Sequence, residues 1–172
     1  MSYEANKIRL IMELRRQGIT DKHVLGALER VPREMFVPEA MRSEAYENMP
    51  LPISQGQTIS QPYIVALMVQ ELDPQGDHRI LDVGAGSGYQ TAILAALCAH
   101  VYAAERLNEL AERAMTTLAG LNVDNVTIGT MDGSLGWPEE APFDRILCGA
   151  ASPDGPQAWI DQLADGGRIV VP

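Results

Sequence analysis

The sequence predicts an α/β fold, a doubly wound and mostly parallel sheet preceded by a helical segment. Three observations predict it. From Arg79 to Val171, short apolar runs alternate with helical stretches. A loop with three glycines, Gly84, Gly86 and Gly88, joins the first of those runs to the helix behind it. The first half of the chain, by contrast, reads as helices and one irregular stretch.

The helical half comes first. Residues 3–17 place Ile8, Ile11, Met12 and Leu14 at helical spacing, and Gly18 follows as a stop. Thr20 or Asp21 can cap a second helix through Val24, Leu25 and Leu28, ended by Pro32. Residues 38–46 predict a short third helix. Residues 48–61, with Pro50, Pro52 and Gly56, lack apolar periodicity. Pro62 opens a fourth helix through Val65, Leu67, Met68 and Leu72, because proline suits the first helical turn. In the second half, strands are predicted over 79–84, 100–105, 126–130, 143–149 and 167–171. Helices are predicted between them, over 89–98, 107–121 and 156–163. Strands alternating with helices imply right-handed crossovers and a parallel sheet.

Composition narrows the function classes. A chain of 172 residues fits one domain. We expect it to divide into a helical region with an irregular loop, 1–75, and an α/β core, 76–172. Hydrophobic residues at 46% and charged residues at 21% suit a folded chain. No apolar run reaches the ~20 residues of a membrane span, and Met1-Ser2-Tyr3-Glu4 does not read as a secretory start. Thirteen basic against 23 acidic residues give a net charge of −10. Without a basic patch, such a chain repels a phosphate backbone. Cys98 and Cys148 have no companions at metal spacing, so neither a zinc site nor a disulfide framework is expected. These features point to a soluble cytoplasmic protein with neither membrane nor nucleic-acid partner.

The segment Asp82-Val83-Gly84-Ala85-Gly86-Ser87-Gly88 carries the sharpest chemistry. It lies where a parallel sheet binds nucleotides. The dinucleotide fingerprint G-x-G-x-x-G would put a third glycine where Tyr89 stands. No Gly-Lys-Ser/Thr follows, which excludes a P-loop. Glu105, ending the next strand, can accept from both ribose hydroxyls of an adenosine ligand, or it is a surface acid. Asp132 of Met131-Asp132-Gly133 can accept from an adenine amino group, or it marks a turn. The three acids follow three successive strands, so they share the C-terminal edge of the sheet.

Six segments occur in one order: 31–37 (VPREMFV), 55–62 (QGQTISQP), 81–88 (LDVGAGSG), 132–137 (DGSLGW), Ala150-Ala151 and 166–172 (GGRIVVP). With them the chain resembles the protein-L-isoaspartate O-methyltransferases throughout. The Gly-x-Thr-Ile-Ser-x-Pro segment is the most specific motif. The resemblance implies a Rossmann-like, class I methyltransferase fold and S-adenosylmethionine as cofactor. It implies methyl transfer to the α-carboxylate of isoaspartyl residues in damaged proteins and peptides. The ester then closes to a succinimide, which reopens to aspartate. Ser60 matches the active-site serine, and Thr58 and Ile59 match the loop that closes over cofactor and substrate. Asp82, Gly84, Gly86 and Gly88 match the cofactor loop, Glu105 the ribose acid, and Asp132 with Gly133 the adenine region. Ser87 and Arg106, beside them, belong to the same expected cofactor set. No metal is implied, and a monomer is expected. Two departures stand out: Met131 replaces the usual glycine, and the chain ends at Pro172, where the family continues into further strands.

The chemistry agrees with the residues present. A carboxylate acceptor has a reference pKa of ~4 and needs no general base, and His23, His78 and His100 lie outside every motif. In-line positioning and a water-poor site favour a step that cancels two charges. Ser60 would then orient the acceptor or, alternatively, cap the helix opened by Pro62. The competing readings are a methyltransferase for another carboxylate or small-molecule acceptor, and a cofactor-binding module without turnover.

Overall fold

A computed structural model of the chain describes residues 3–149 and 157–172. The matched pair Ala150-Ala151 and the expected helix start at Pro156 lie outside the described residues.

Helix α1, Tyr3–Arg16, buries Leu10, Ile11 and Leu14, and Gly18 leaves it at φ +99°. Helix α2, Lys22–Arg30, is capped by Asp21, whose carboxylate accepts from the backbone N–H groups of His23 and Val24 at 2.7 and 3.0 Å. The expected third helix is instead a 3-10 run, Glu39–Glu44. None of its residues is buried, so it lacks the apolar face that stabilises an α-helix in a protein. The irregular stretch folds into a two-residue hairpin. Strand β1, Leu51–Pro52, pairs antiparallel with β2, Thr58–Ile59, around a 3-10 turn at Ser54–Gly56. Helix α3, Pro62–Leu72, starts with Pro62 in its first turn and ends at Asp73, φ 53°.

Five strands then form one parallel sheet in the order β5-β4-β3-β6-β7. They are β3 Arg79–Val83, β4 His100–Glu105, β5 Val126–Thr130, β6 Phe143–Cys148 and β7 Leu163–Val170. Between them lie α4 Tyr89–Ala95, α5 Asn108–Gly120 and α6 Gln157–Ile160. Strand β7 begins earlier than expected. Phe143 pairs with Leu163 but Arg145 with Arg168, a bulge that passes through Gly166 at φ +75°. The glycines there obscure the strand in the sequence.

Alternation along the strands divides the core in two. Ile80, Val101, Ala103 and Leu147 face the larger cluster with α1 to α4. Leu81, Val83, Ile146 and Cys148 face the smaller one, with Trp159 of α6. Helices therefore cover both faces of a doubly wound sheet. Chain order reverses at β3, which has β4 on one side and β6 on the other. Ligands bind at the C-terminal strand ends beside such a switch point.

Candidate active site

The glycine loop leaves β3 at that switch point. Gly84, Gly86 and Gly88 all have positive φ, at +83°, +56° and +85°, a region that side-chain-bearing residues rarely occupy. The loop is held from below, because the N–H groups of Gly84 and Ala85 donate to the carbonyl of Ala104 at 2.8 and 3.2 Å. Glu105 holds it from the side. One carboxylate oxygen accepts from the N–H of Gly86 at 2.8 Å, the other from the N–H of Leu107 at 2.9 Å. Glu105 is buried and lies at the end of β4, so it bridges the loop to the turn before α5.

Above the strand ends lies a cavity of about 370 Å³. Among the expected residues, Thr58, Gly84, Gly86, Glu105, Arg106, Asp132 and Gly133 line it. A smaller hollow of about 50 Å³ adjoins, lined by Thr58, Ile59, Ser60, Gly84, Gly86 and Ser87 with Tyr89 and Gln90. The two share Thr58, Gly84, Gly86 and Gly149. A wider hollow, about 680 Å³ between α1 and residues 39–47, contains no part of the glycine loop.

Asp82 and Gly88 line neither cavity. Asp82 is fully buried beneath the loop. It accepts from Gln90 Nε2 at 2.8 Å and from Thr91 Oγ1 at 2.6 Å. Burial pushes its carboxyl up to about 6, against the opposing pull of those two donors. Gly88 is a packing position, where a Cβ would stand 3.0 Å from the Cβ of Ala114.

Asp132 is exposed and accepts from the N–H of Ser134 at 3.0 Å, which holds its carboxyl below the usual range. Gly133 is enclosed. A Cβ there would come 2.7 Å from Val83 Cγ1 and 3.2 Å from the Cβ of Ala104. Met131 does not line the cavity. Its Cε lies over Gly129, beside the Trp137 ring, so the residue that replaces the family's glycine is turned away.

Ser60 precedes α3, whose N-cap is Gln61 with no side-chain cap bond. The Ser60 hydroxyl is therefore not used as a cap. Its loop is pinned from three sides. Arg33 Nη2 donates to the Ser60 carbonyl at 2.8 Å. Gln61 Nε2 donates to the carbonyl of Asn48 at 2.9 Å, and the N–H of Tyr63 donates to Asn48 Oδ1 at 3.0 Å. Gln55 Nε2 bonds Glu109 of α5.

Sequence reasoning missed Leu110, Cys148 and Trp159, which wall the larger cavity. Trp159 is buried and donates from Nε1 to the carbonyl of Gly133 at 2.9 Å. Apolar wall residues carry no signal that separates them from core. Among the described residues, no group of His, Cys, Asp and Glu could hold a metal ion.

The residues fit an adenosine-bearing cofactor. The volume suits a small ligand. Gly133 packs too closely on Val83 and Ala104 to carry a Cβ, and around the cavity apolar Leu110 and Trp159 stand with polar Glu105 and Arg106.

Comparison with known proteins agrees. The sequence model described as Protein-L-isoaspartate(D-aspartate) O-methyltransferase matches residues 5–172. The Protein-L-isoaspartate O-methyltransferase of Parvibaculum lavamentivorans is 54% identical over 98% of this chain and 76% of its own length. That of Dictyoglomus thermophilum is 50% identical over 99% of this chain and 77% of its own. A solved protein-L-isoaspartate O-methyltransferase superposes with a TM-score of 0.88 at 29% identity, covering 96% of this chain and 55% of that one. A Plasmodium falciparum structure described as a protein-L-isoaspartate O-methyltransferase, in complex with S-adenosyl-L-homocysteine, gives 0.83 at 29% identity, covering 95% of this chain and 82% of that one. Fold and site define a class I methyltransferase with a Rossmann-like sheet. Within that class, the chain belongs to the protein-L-isoaspartate(D-aspartate) O-methyltransferase family.

Proposed function

We propose that this chain transfers the methyl group of S-adenosylmethionine to the free α-carboxylate of L-isoaspartyl residues in damaged proteins and peptides, which starts their repair. One observation carries the reading. The two cavities share a wall at Thr58, Gly84, Gly86 and Gly149. A cofactor in the larger and a carboxylate in the smaller would meet across it.

Bound S-adenosylmethionine supplies a methyl group on a cationic sulfur. In this reading Glu105 uses its remaining lone pairs for the ribose hydroxyls, since each oxygen has so far accepted one N–H. Asp132 and Gly133 take the adenine region, with Arg106 at the rim. Gly84, Gly86, Ser87 and Gly88 shape the loop, and Asp82 acts from behind it through Gln90 and Thr91. Ser60 donates to one acceptor oxygen and leaves the other in line for attack. Thr58 and the buried Ile59 cover the junction and exclude water. The acceptor is already ionised at neutral pH, so no group need remove a proton.

Residues 1–75 and 76–172 work as one domain. The larger core cluster, which runs from Leu10 to Leu147, supports this. The proposed oligomeric state is a monomer. Its proposed place is the cytoplasm, and no helix among the described residues is long and apolar enough to cross a membrane. The net charge of −10 argues for protein rather than nucleic-acid substrates.

The test uses isoaspartyl and aspartyl forms of one peptide with methyl-labelled cofactor. Label should enter the isoaspartyl form alone. Equal labelling of both, or none of the isoaspartyl form, would overturn the reading.

A further inference from the structure

Arg33 stands in a 3-10 turn, Arg33–Met35, between α2 and the hairpin. Its side chain is 0% exposed. The guanidinium lies 4.8 Å from the centroid of the Tyr89 ring and donates to the Ser60 carbonyl at 2.8 Å. Its Nε and Nη1 have no hydrogen-bond partner. Among the described residues it forms no ion pair. Its neighbour Glu34 is engaged with the Tyr46 hydroxyl. Arginine keeps its charge in proteins. A buried, unpaired cation is costly, and its unsatisfied donors require an explanation.

Ser60, whose carbonyl the guanidinium bonds, and Tyr89, whose ring it faces, both line the smaller cavity. We propose that Arg33 is a specificity-determining residue: its buried cation, set behind Ser60 and Tyr89, selects a carboxylate as the acceptor in the smaller cavity. The proposal rests on the function given above and deepens it. The field of a fixed charge persists in a low-dielectric interior, so it acts on an acceptor it does not touch.

The direction of the kinetic effect follows from the charge balance. The acceptor enters as an anion. As its oxygen bonds the methyl carbon and the carbon–sulfur bond breaks, the oxygen loses its negative charge and the sulfonium becomes a neutral thioether. A cation behind the acceptor therefore favours the bound carboxylate more than the transition state. Removing an interaction that is stronger in the ground state raises KM and does not lower kcat.

The experiment compares wild type with Arg33→Lys, Arg33→Gln and Arg33→Met, using an isoaspartyl peptide. S-adenosylhomocysteine binding is measured alongside. We expect the neutral variants to raise peptide KM about tenfold while kcat changes less than about threefold. Arg33→Lys should keep KM within about threefold, because the charge stays. S-adenosylhomocysteine affinity should stay within about twofold in all three. An unchanged KM in a folded neutral variant overturns the proposal. So does an equal loss of kcat in all three, which would reduce Arg33 to a support for the Ser60 carbonyl. If Arg33→Met does not fold, Arg33→Gln decides, since it can still donate to that carbonyl. An inactive wild type that still binds S-adenosylhomocysteine would overturn the functional reading, and the acceptor assigned to Arg33 with it. An active wild type with unmoved KM values would overturn the Arg33 role alone.

Discussion

Glu105→Ala tests two roles of one side chain. The carboxylate accepts backbone N–H groups from Gly86 at 2.8 Å and Leu107 at 2.9 Å. It is 6% exposed, so water cannot readily replace it. A hydrogen bond to a charged group contributes about 1.5–3 kcal/mol, but two bonds on one carboxylate are not additive. We therefore expect a loss of about 3 kcal/mol in stability, with Tm lowered by about 6–12 °C for a domain of this size. The loop should also lose the position of Gly86, and with it at least about tenfold in affinity for S-adenosylhomocysteine. Glu105→Gln offers a carbonyl to one N–H and sets an amide N–H against the other. It should fall between wild type and alanine on both scales. Thermal scans with and without S-adenosylhomocysteine, and calorimetric titration below the lowered Tm, measure the two effects on the same protein. A Tm within about 2 °C of wild type would refute the structural role. Unchanged affinity in the folded variant would refute the cofactor role.

Ser60→Ala should lower kcat about 100-fold or more, with Tm and S-adenosylhomocysteine affinity near wild type, because the hydroxyl caps no helix; near-normal turnover would remove it from the active site. Gly133→Ala forces a Cβ to within 2.7 Å of Val83 Cγ1, which should cost about 1–3 kcal/mol and weaken S-adenosylhomocysteine binding, a loss that calorimetry would detect. The raised Asp82 pKa of about 6, against 3.8 as reference, means the folded state binds the proton more tightly than the unfolded chain does. This group therefore makes the protein more stable at low pH, and that contribution is lost as pH rises from about 4 to about 6. Asp82→Asn should remove a slope on the order of 2 kcal/mol across that window, and parallel stability profiles of mutant and wild type in urea titrations would contradict it.

The sheet was legible because short segments rich in apolar residues, from β3 to β6, alternate with helical stretches and end at polar or glycine residues. The acids at the strand ends were legible for the same reason, since the strand boundary fixes where Glu105 and Asp132 emerge. What they bond was not. That Glu105 spends one acceptance on Gly86 and one on Leu107 depends on how β4 and the loop meet in space. The hairpin at 51–59 has two residues in each strand, too few for a period of two to show. Residues 39–44 carry helix-compatible side chains, yet they bury none. Trp159 lies on a four-residue helix and reads as ordinary core. Arg33 was hidden most deeply, because an arginine flanked by Pro32 and Glu34 reads as surface. Its burial follows from the packing of Tyr89 and the Ser60 loop around it.

The charges also resolve an apparent conflict between an acidic enzyme and an anionic substrate. At −10 the chain repels a carboxylate at long range. Salt limits that repulsion to about 8 Å at physiological ionic strength, and beyond the surface it slows encounter rather than forbidding it. Inside the site, burial weakens screening and position decides. Glu105 lies in the wall of the larger cavity, which on our reading takes the cationic sulfonium cofactor. Arg33 lies behind the smaller one, which takes the anion. Each reactant thus meets a charge opposite to its own, and the net charge of the molecule does not determine the sign of the field where the methyl group moves.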